Sequence, residues 1–310
     1  MNLRSKIYVA GHNGLVGSAI IKELKNKGYI NIITASRAKL NLINQNKVLK
    51  FLKKKKPDFI IIAAAKVGGI YSNNKFKADY IYENLMIQTN LIHSAFLSGV
   101  KNLIFLGSSC IYPKKSKQPI KEEYLLTGKL EETNEPYAIA KIAGIKMCEN
   151  YNKQYKTNYK CLMPTNTFGP NDNYDLLNSH FVPALIKKIH EAKIKNKKNI
   201  VLWGNGKVKR EIIFVEEIAK ACIYFMKKKS NYSLINIGSG KDYNIKNYAK
   251  LFIKIIAPGK KIGIKYDFNK PNGTPRKLLD ISLAKKLGWK PNINLSEQIL
   301  KTYNSFLKKN

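Results

Sequence analysis

Apolar positions in this chain come in short blocks that alternate with stretches of helical spacing. Residues 6–10 form a brief apolar run that stops at Gly11, and Leu15, Val16, Ala19, Ile20 and Leu24 then recur at the three-and-four interval of one helix face. A second strand is predicted over 30–35. Helical spacing returns over 48–52 and ends in a lysine run at 53–56, after which Pro57-Asp58 introduces an unbroken apolar strand over 59–63. A long amphipathic helix is predicted over 78–98, a strand over 103–106, a helix over 137–155 and a strand over 159–163. Continuous apolar strands alternating with helices imply a parallel sheet covered on both faces, hence an α/β, doubly wound architecture. Beyond about residue 165 the pattern breaks into Gly, Pro and Asn punctuation with shorter elements, which predicts a smaller C-terminal α/β lobe built around a substrate. The expected division is 1–165 for the first domain, with about 211–240 returning to it, and 166–310 mainly for the lobe.

The first strand-to-helix junction carries Gly11, His12, Asn13, Gly14, Leu15, Val16 and Gly17, with glycines at intervals of three. The first glycine allows a tight turn, the second lets backbone approach a pyrophosphate, and the third lets the helix pack on the strand. The helix N-terminus then offers N–H groups and a positive dipole to the anion. A plain tight turn could use the same glycines, but their place at the first βα junction favours a Rossmann-type dinucleotide site. The second predicted strand runs into Ala35-Ser36-Arg37, where an acidic residue would suit the ribose hydroxyls of NAD. Arginine suits a 2′-phosphate instead, so NADP is the expected cofactor.

Charge adds a question. The 310 residues hold 56 Lys and Arg against 20 Asp and Glu, a net +36, yet only Arg4, Arg37, Arg210 and Arg276 are arginines. Nucleic-acid readers favour the planar arginine fork and cluster their charge. These lysines are scattered, and the runs 53–56 and 227–229 fall at predicted helix ends, where cations favour the dipole. A generally basic surface is expected, with no nucleic-acid partner. The 44% hydrophobic content excludes a disordered chain. Cys110, Cys148, Cys161 and Cys222 form no CxxC pair, and the four histidines show no metal-ligand spacing, so no metal is expected. Gly11 and Gly14 interrupt any secretory h-region, and the longest apolar run, 59–65, is too short to span a bilayer. The expected setting is a reducing cytoplasm, away from membranes.

Tyr137 and Lys141 stand four apart on one predicted helix face, behind a strand that ends in Gly107-Ser108-Ser109. Alone, such a pair is an ordinary helix face. Behind the glycine cradle, it resembles the Ser/Tyr/Lys site of the short-chain dehydrogenases/reductases. Reducing a ketone needs a proton at the oxygen as hydride reaches the carbon. A nearby lysine cation favours the phenolate and makes the Tyr hydroxyl a better acid, and Ser108 would bond the carbonyl oxygen.

Longer strings narrow the resemblance. They are Ala63-Ala64-Ala65-Lys66-Val67-Gly68-Gly69-Ile70, Gly107-Ser108-Ser109-Cys110-Ile111-Tyr112-Pro113, and residues 133–144 around the Tyr/Lys pair. With Met163-Pro164-Thr165-Asn166, Asn178-Ser179-His180 and Asn272-Gly273-Thr274-Pro275-Arg276-Lys277, the chain resembles the GDP-L-fucose synthases, 3,5-epimerase/4-reductases of the extended branch. The resemblance implies GDP-4-keto-6-deoxy-D-mannose as substrate, NADPH as reductant, and a homodimer paired through the helices near 78–98 and 137–155. It assigns Cys110 and His180 to proton transfer at C3 and C5, as thiolate base and imidazolium acid. By themselves, a cysteine and a histidine here would read as a buried apolar group and a loop residue. It further implies cofactor contacts at Leu106, Gly107, Ser109, Lys141, Pro164, Thr165, Asn166, Thr167 and His180. Substrate contacts follow at Ser108, Cys110, Asn166, Lys188, Trp203, Arg210 and Lys277. An aromatic face can stack on a base or sugar, and an arginine can fork a diphosphate.

Three positions depart from the family. Asn13 stands where an arginine helps hold the 2′-phosphate, leaving Arg37 alone and weakening the expected NADP preference. Lys188 keeps the charge of an arginine but loses its bidentate fork. Glu216-Glu217 replaces an aspartate and carries no assigned function. A rival reading keeps the scaffold but changes the sugar, to C4 reduction of a related GDP-4-keto deoxy sugar or heptose for capsule or lipopolysaccharide synthesis. A third, non-catalytic reading is a nucleotide sensor or polyanion binder.

Overall fold

The computed structural model describes residues 1–176, 179–270 and 273–308. Its strands, in chain order, are β1 (Ile7–Ala10), β2 (Ile32–Ile33), β3 (Phe59–Ile62), β4 (Asn102–Leu106), β5 (Asn158–Pro164) and β6 (Asn166–Phe168). They continue with β7 (Asn199–Trp203), β8 (Lys209–Phe214), β9 (Leu234–Ile237), β10 (Asp242–Asn244), β11 (Gly263–Asp267) and β12 (Arg276–Lys277). The helices are α1 (Leu15–Asn26), α2 (Gln45–Lys55), α3 (Ile70–Lys75), α4 (Lys77–Leu97), α5 (Glu135–Tyr155) and α6 (Phe181–Ile194). Then come α7 (Val215–Lys227), α8 (Ile245–Ile256), α9 (Ser282–Lys286) and α10 (Leu295–Leu307).

Six parallel strands form the central sheet in the order β2-β1-β3-β4-β5-β9. β1 and β3 are buried along their whole length, as strands covered on both faces must be. One face packs Ile20 and Leu24 of α1 with Ile218 and Phe225 of α7. The other packs Val48 of α2, Leu91 of α4 and Ile145 of α5. From β1 the chain goes outward to β2, then crosses to the far side of β1 for β3. That reversal opens a crevice at the carboxyl ends of the strands.

The lobe is organised by β8. It pairs antiparallel with β10 and parallel with β6 and β12, so Asn166 registers with Ile212, and Lys277 with Arg210. A separate core of Phe168, Ile186, Ile189, Phe252 and Phe306 holds α6, α8 and α10 together.

Several elements differ from their predicted form. The second strand shrinks to Ile32–Ile33: it is an edge strand that pairs with β1 only at Ile7 and Tyr8, although β1 runs on to Ala10. The helix over 78–98 is not simply amphipathic: it lies between neighbours and buries Asn84, Gln88, Asn90 and Ser94. Asn84 and Asn90 spend their amides on the carbonyls of Tyr80, Lys66, Leu42 and Ile43. The C-terminal half carries helices of 12 to 14 residues rather than short pieces. Pro183 falls in the first turn of α6, where no N–H is missed. Besides β9 and α7, Ala284 and Trp289 also return to the central core.

Candidate active site

The glycine turn is built as its spacing predicts. Gly11 adopts φ +84°, and a Cβ there would lie 2.6 Å from the backbone nitrogen of Ala64. A Cβ on Gly17 would overlap the Gly11 carbonyl, so α1 can approach β1 only with glycine at that position. Gly14 caps α1 with no side-chain acceptor, which leaves the first-turn N–H groups directed at the crevice. An uncapped helix N-terminus behind a bare backbone turn fits a diphosphate.

The crevice is a cleft of about 720 Å³. Gly11, His12, Asn13, Gly14, Leu15 and Val16 line it at one end, with Arg37. Leu106, Gly107, Ser109, Lys141, Pro164, Thr165, Asn166, Thr167 and His180 line the remainder. Gly17 alone of the predicted cofactor residues stands behind the wall, in the helix packing. Arg37 faces a charge that sequence reasoning missed: its Nη2 is 3.7 Å from Glu83 Oε2.

Ser108 ends β4 and its Oγ accepts the Cys110 backbone N–H at 3.3 Å, opening a short 3₁₀ turn over Ser109–Ile111. Tyr137 sits in the first turn of α5, hydrogen-bonded to Ser108. Burial pushes the Tyr137 hydroxyl pKa up, and the Cys110 sulfur adds to the shift, while the Ser108 bond partly offsets it. Here the structure corrects an expectation. Lys141 does not pull the Tyr137 pKa down; its Nζ donates to the Leu106 carbonyl at 2.8 Å and lies 5.8 Å from the Tyr137 ring centre. Desolvation is the largest influence on the Tyr137 hydroxyl. Lys141 is only 3% exposed, and burial lowers its pKa to about 7, with Cys161 opposing.

Cys110 and His180 come to the same place from distant segments. The Cys110 sulfur receives Asn134 Nδ2 at 3.4 Å and Lys277 Nζ at 3.8 Å. His180 precedes α6, is exposed, and lines both the cleft and the cavity beside it. Desolvation lowers its pKa, and the Lys277 charge lowers it further. The free protein thus favours the neutral ring, away from the imidazolium that the resemblance implies. Asn134 was missed because nothing in its local string distinguishes it from a loop residue.

A second cavity, of about 310 Å³, adjoins the cleft and shares with it Ser108, Cys110, Tyr137, Asn166 and His180. Lys188, Trp203, Arg210 and Lys277 line its remaining walls. Lys188 and Lys270 flank the Trp203 ring at 5.7 and 5.5 Å. Lys188 Nζ donates to the Val201 carbonyl, and Arg210 Nη1 to those of Thr274 and Lys209. Lys277, expected as a substrate contact, also reaches the Cys110 thiol. Asn178 and Asn272, quoted above in the motif strings, lie outside the described residues. Glu216 pairs with Lys22 and Lys301, and Glu217 with Lys220 and the Asn292 N–H, which gives both a structural use. Among the described residues no cluster of metal-ligating groups occurs, and no helix is long and apolar enough to cross a membrane.

Residues 7–244 match the NAD dependent epimerase/dehydratase family. The chain is 49% identical over 304 residues to "Putative GDP-L-fucose synthase 2" of Arabidopsis thaliana, covering 98% of this chain and 92% of that one. It is 45% identical over 314 residues to "GDP-L-fucose synthase" of Escherichia coli (strain K12), covering 98% and 97%. Among solved structures, a GDP-6-OMe-4-keto-L-xylo-heptose reductase from C. jejuni superposes with a TM-score of 0.94 at 37% identity, over 100% of this chain and 99% of that one.

Proposed function

This chain belongs to the NAD dependent epimerase/dehydratase family, and from that premise we propose that it makes GDP-L-fucose from GDP-4-keto-6-deoxy-D-mannose, epimerising C3 and C5 and reducing C4 with NADPH. The observation that carries the reading is the shared wall of the two cavities. Ser108, Tyr137, Cys110 and His180 stand where a dinucleotide in one cavity would meet a sugar in the other.

The 4-keto group acidifies the protons on C3 and C5. Cys110 removes a proton and His180 returns one from the opposite face, which inverts the centre. A bound diphosphate brings negative charge beside Lys277 and Arg210, offsetting the cation that adds to burial in lowering the His180 pKa. NADPH, when bound, supplies hydride to C4. Ser108 holds the ketone oxygen and Tyr137 protonates it, its buried hydroxyl remaining a proton carrier at neutral pH. Lys141 lines the dinucleotide cleft with its Nζ held by the Leu106 carbonyl. Trp203, Lys188 and Arg210 hold the nucleotide end, and Asn166 spans both cavities. Exposed Tyr82, Leu97, Ile139 and Tyr155 on α4 and α5 give a homodimer an apolar seam, and a reducing cytoplasm suits the free Cys110 thiol.

The test is NMR of the product formed from GDP-4-keto-6-deoxy-D-mannose and NADPH in deuterated water. Deuterium at C3 and C5 of GDP-L-fucose is the expected result. NADPH consumption without deuterium means simple C4 reduction. No consumption turns the reading to the GDP-4-keto-heptose series, which the likeness to the C. jejuni heptose reductase favours as the second choice.

A further inference from the structure

The far end of the dinucleotide cleft holds a set of charges that the glycine motif did not reveal. Arg37 Nη2 approaches Glu83 Oε2 at 3.7 Å, and the other oxygen of Glu83 is 2.6 Å from Lys66 Nζ. Lys66 also reaches Asp79 at 3.2 Å. Arg37, Lys66 and Glu83 line the cleft, whereas Asp79 stands outside it. The Glu83 side chain is 21% exposed and that of Arg37 79%, so the carboxylate is the held partner and the guanidinium the movable one.

At the end of the second strand of such folds, an acidic residue suits the free ribose hydroxyls of NAD, and an arginine suits the 2′-phosphate of NADP. This chain presents both charges at one end of the cleft, already paired to each other. A 2′-phosphate arriving at Arg37 meets a guanidinium partly engaged and a carboxylate close by. Asn13 in the cradle is neutral and adds no second cation. Lys66 is engaged by two carboxylates, whose bonds raise its pKa.

We propose that Glu83 is a specificity-determining residue for the coenzyme. Its carboxylate competes with the 2′-phosphate for Arg37, and so keeps the preference for NADP over NAD below the level that Arg37 alone would set. This rests on reading the cleft as the dinucleotide site.

The test is calorimetric titration of 2′,5′-ADP and of 5′-AMP into the wild type, Glu83→Gln and Asp79→Asn, with no sugar and no turnover. Glu83→Gln tightens 2′,5′-ADP by about threefold to tenfold at low salt, the scale of a partly exposed charge contact, and leaves 5′-AMP within about twofold. The gain shrinks as salt screens it. Asp79→Asn, which loosens Lys66 but leaves the Arg37–Glu83 pair, gives no such gain. Unchanged or weaker 2′,5′-ADP binding by Glu83→Gln overturns the proposal. So does an equal gain in Asp79→Asn, which would make Lys66 the partner of the phosphate. If neither fragment binds any variant, the dinucleotide reading of the cleft falls and the proposal with it.

Discussion

Lys277 Nζ lies 3.8 Å from the Cys110 sulfur across 167 positions of sequence. The contact exists because β12 is laid alongside β8 at the lip of the second cavity, with Lys277 in register with Arg210. The same ammonium adds to burial in disfavouring the imidazolium of His180. One cation thereby touches the thiol and acts by charge on the imidazole of the proposed proton-transfer pair. Lys277→Met is expected to slow deuterium incorporation at C3 and C5 by about tenfold to a hundredfold, within the usual range for acid–base groups. C4 reduction of a ketone that needs no inversion changes far less. Equal loss of both activities, measured by NMR and NADPH absorbance, would place Lys277 in substrate binding instead.

In the proposed reaction Tyr137 and Cys110 serve different half-reactions. Tyr137→Phe should lower C4 reduction by roughly 10²- to 10⁴-fold and leave solvent exchange at C3 and C5 largely intact. Cys110→Ser should do the reverse, with NADPH still consumed on a ketone that needs no inversion. Single-turnover assays that found both activities lost together in each variant would contradict the separation.

The buried Lys141 makes stability depend on pH with a definite sign. Its folded pKa is about 7 against an ordinary 10.5, so between these values the unfolded chain binds more protons. Stability therefore rises with pH in that window, and the cost of burying the charge is fully present below pH 7. Lys141→Met removes the cost. Its unfolding free energy should exceed that of the wild type most below pH 7, and the gap should close by on the order of 1 kcal/mol per pH unit above it. Urea titrations of both proteins from pH 6 to pH 9 provide the check, and a constant gap would show that Lys141 is not neutralised on folding.

At Gly17 the helix and the turn are in backbone contact, and an added methyl has nowhere to go. Gly17→Ala is expected to destabilise the fold by about 1–3 kcal/mol, the cost of overpacking a closed site. It should also weaken dinucleotide binding, since α1 must back away from the turn. A chemical denaturation midpoint equal to that of the wild type would show that α1 shifts freely.

Much of the site was legible because its members cluster in short strings. Gly11 to Gly17, Ser108 to Cys110 and Tyr137 to Lys141 each lie at a strand end or within one helical turn, where local spacing dictates geometry. Glu83, Asn134 and the thiol contact of Lys277 were not legible. Each acts on a partner from another segment, and a lone polar residue in a helix or loop carries no local mark of what it will face. The shortened second strand was missed for a related reason: an edge strand lasts only as far as it pairs with its neighbour, and that pairing is not written in its own residues.

By itself the sequence determined the parallel α/β scaffold, the phosphate turn and the Ser/Tyr/Lys triad, because periodicity and short-range spacing act through the local backbone. Only the tertiary structure decided which charges meet. The join of the two cavities, the pairing of Arg37 with Glu83, the reach of Lys277 to Cys110 and the desolvation that sets the proton affinities of Tyr137 and Lys141 all arise from packing between remote segments. Electrostatic energies depend on distance and burial in space, and neither quantity is written along the chain.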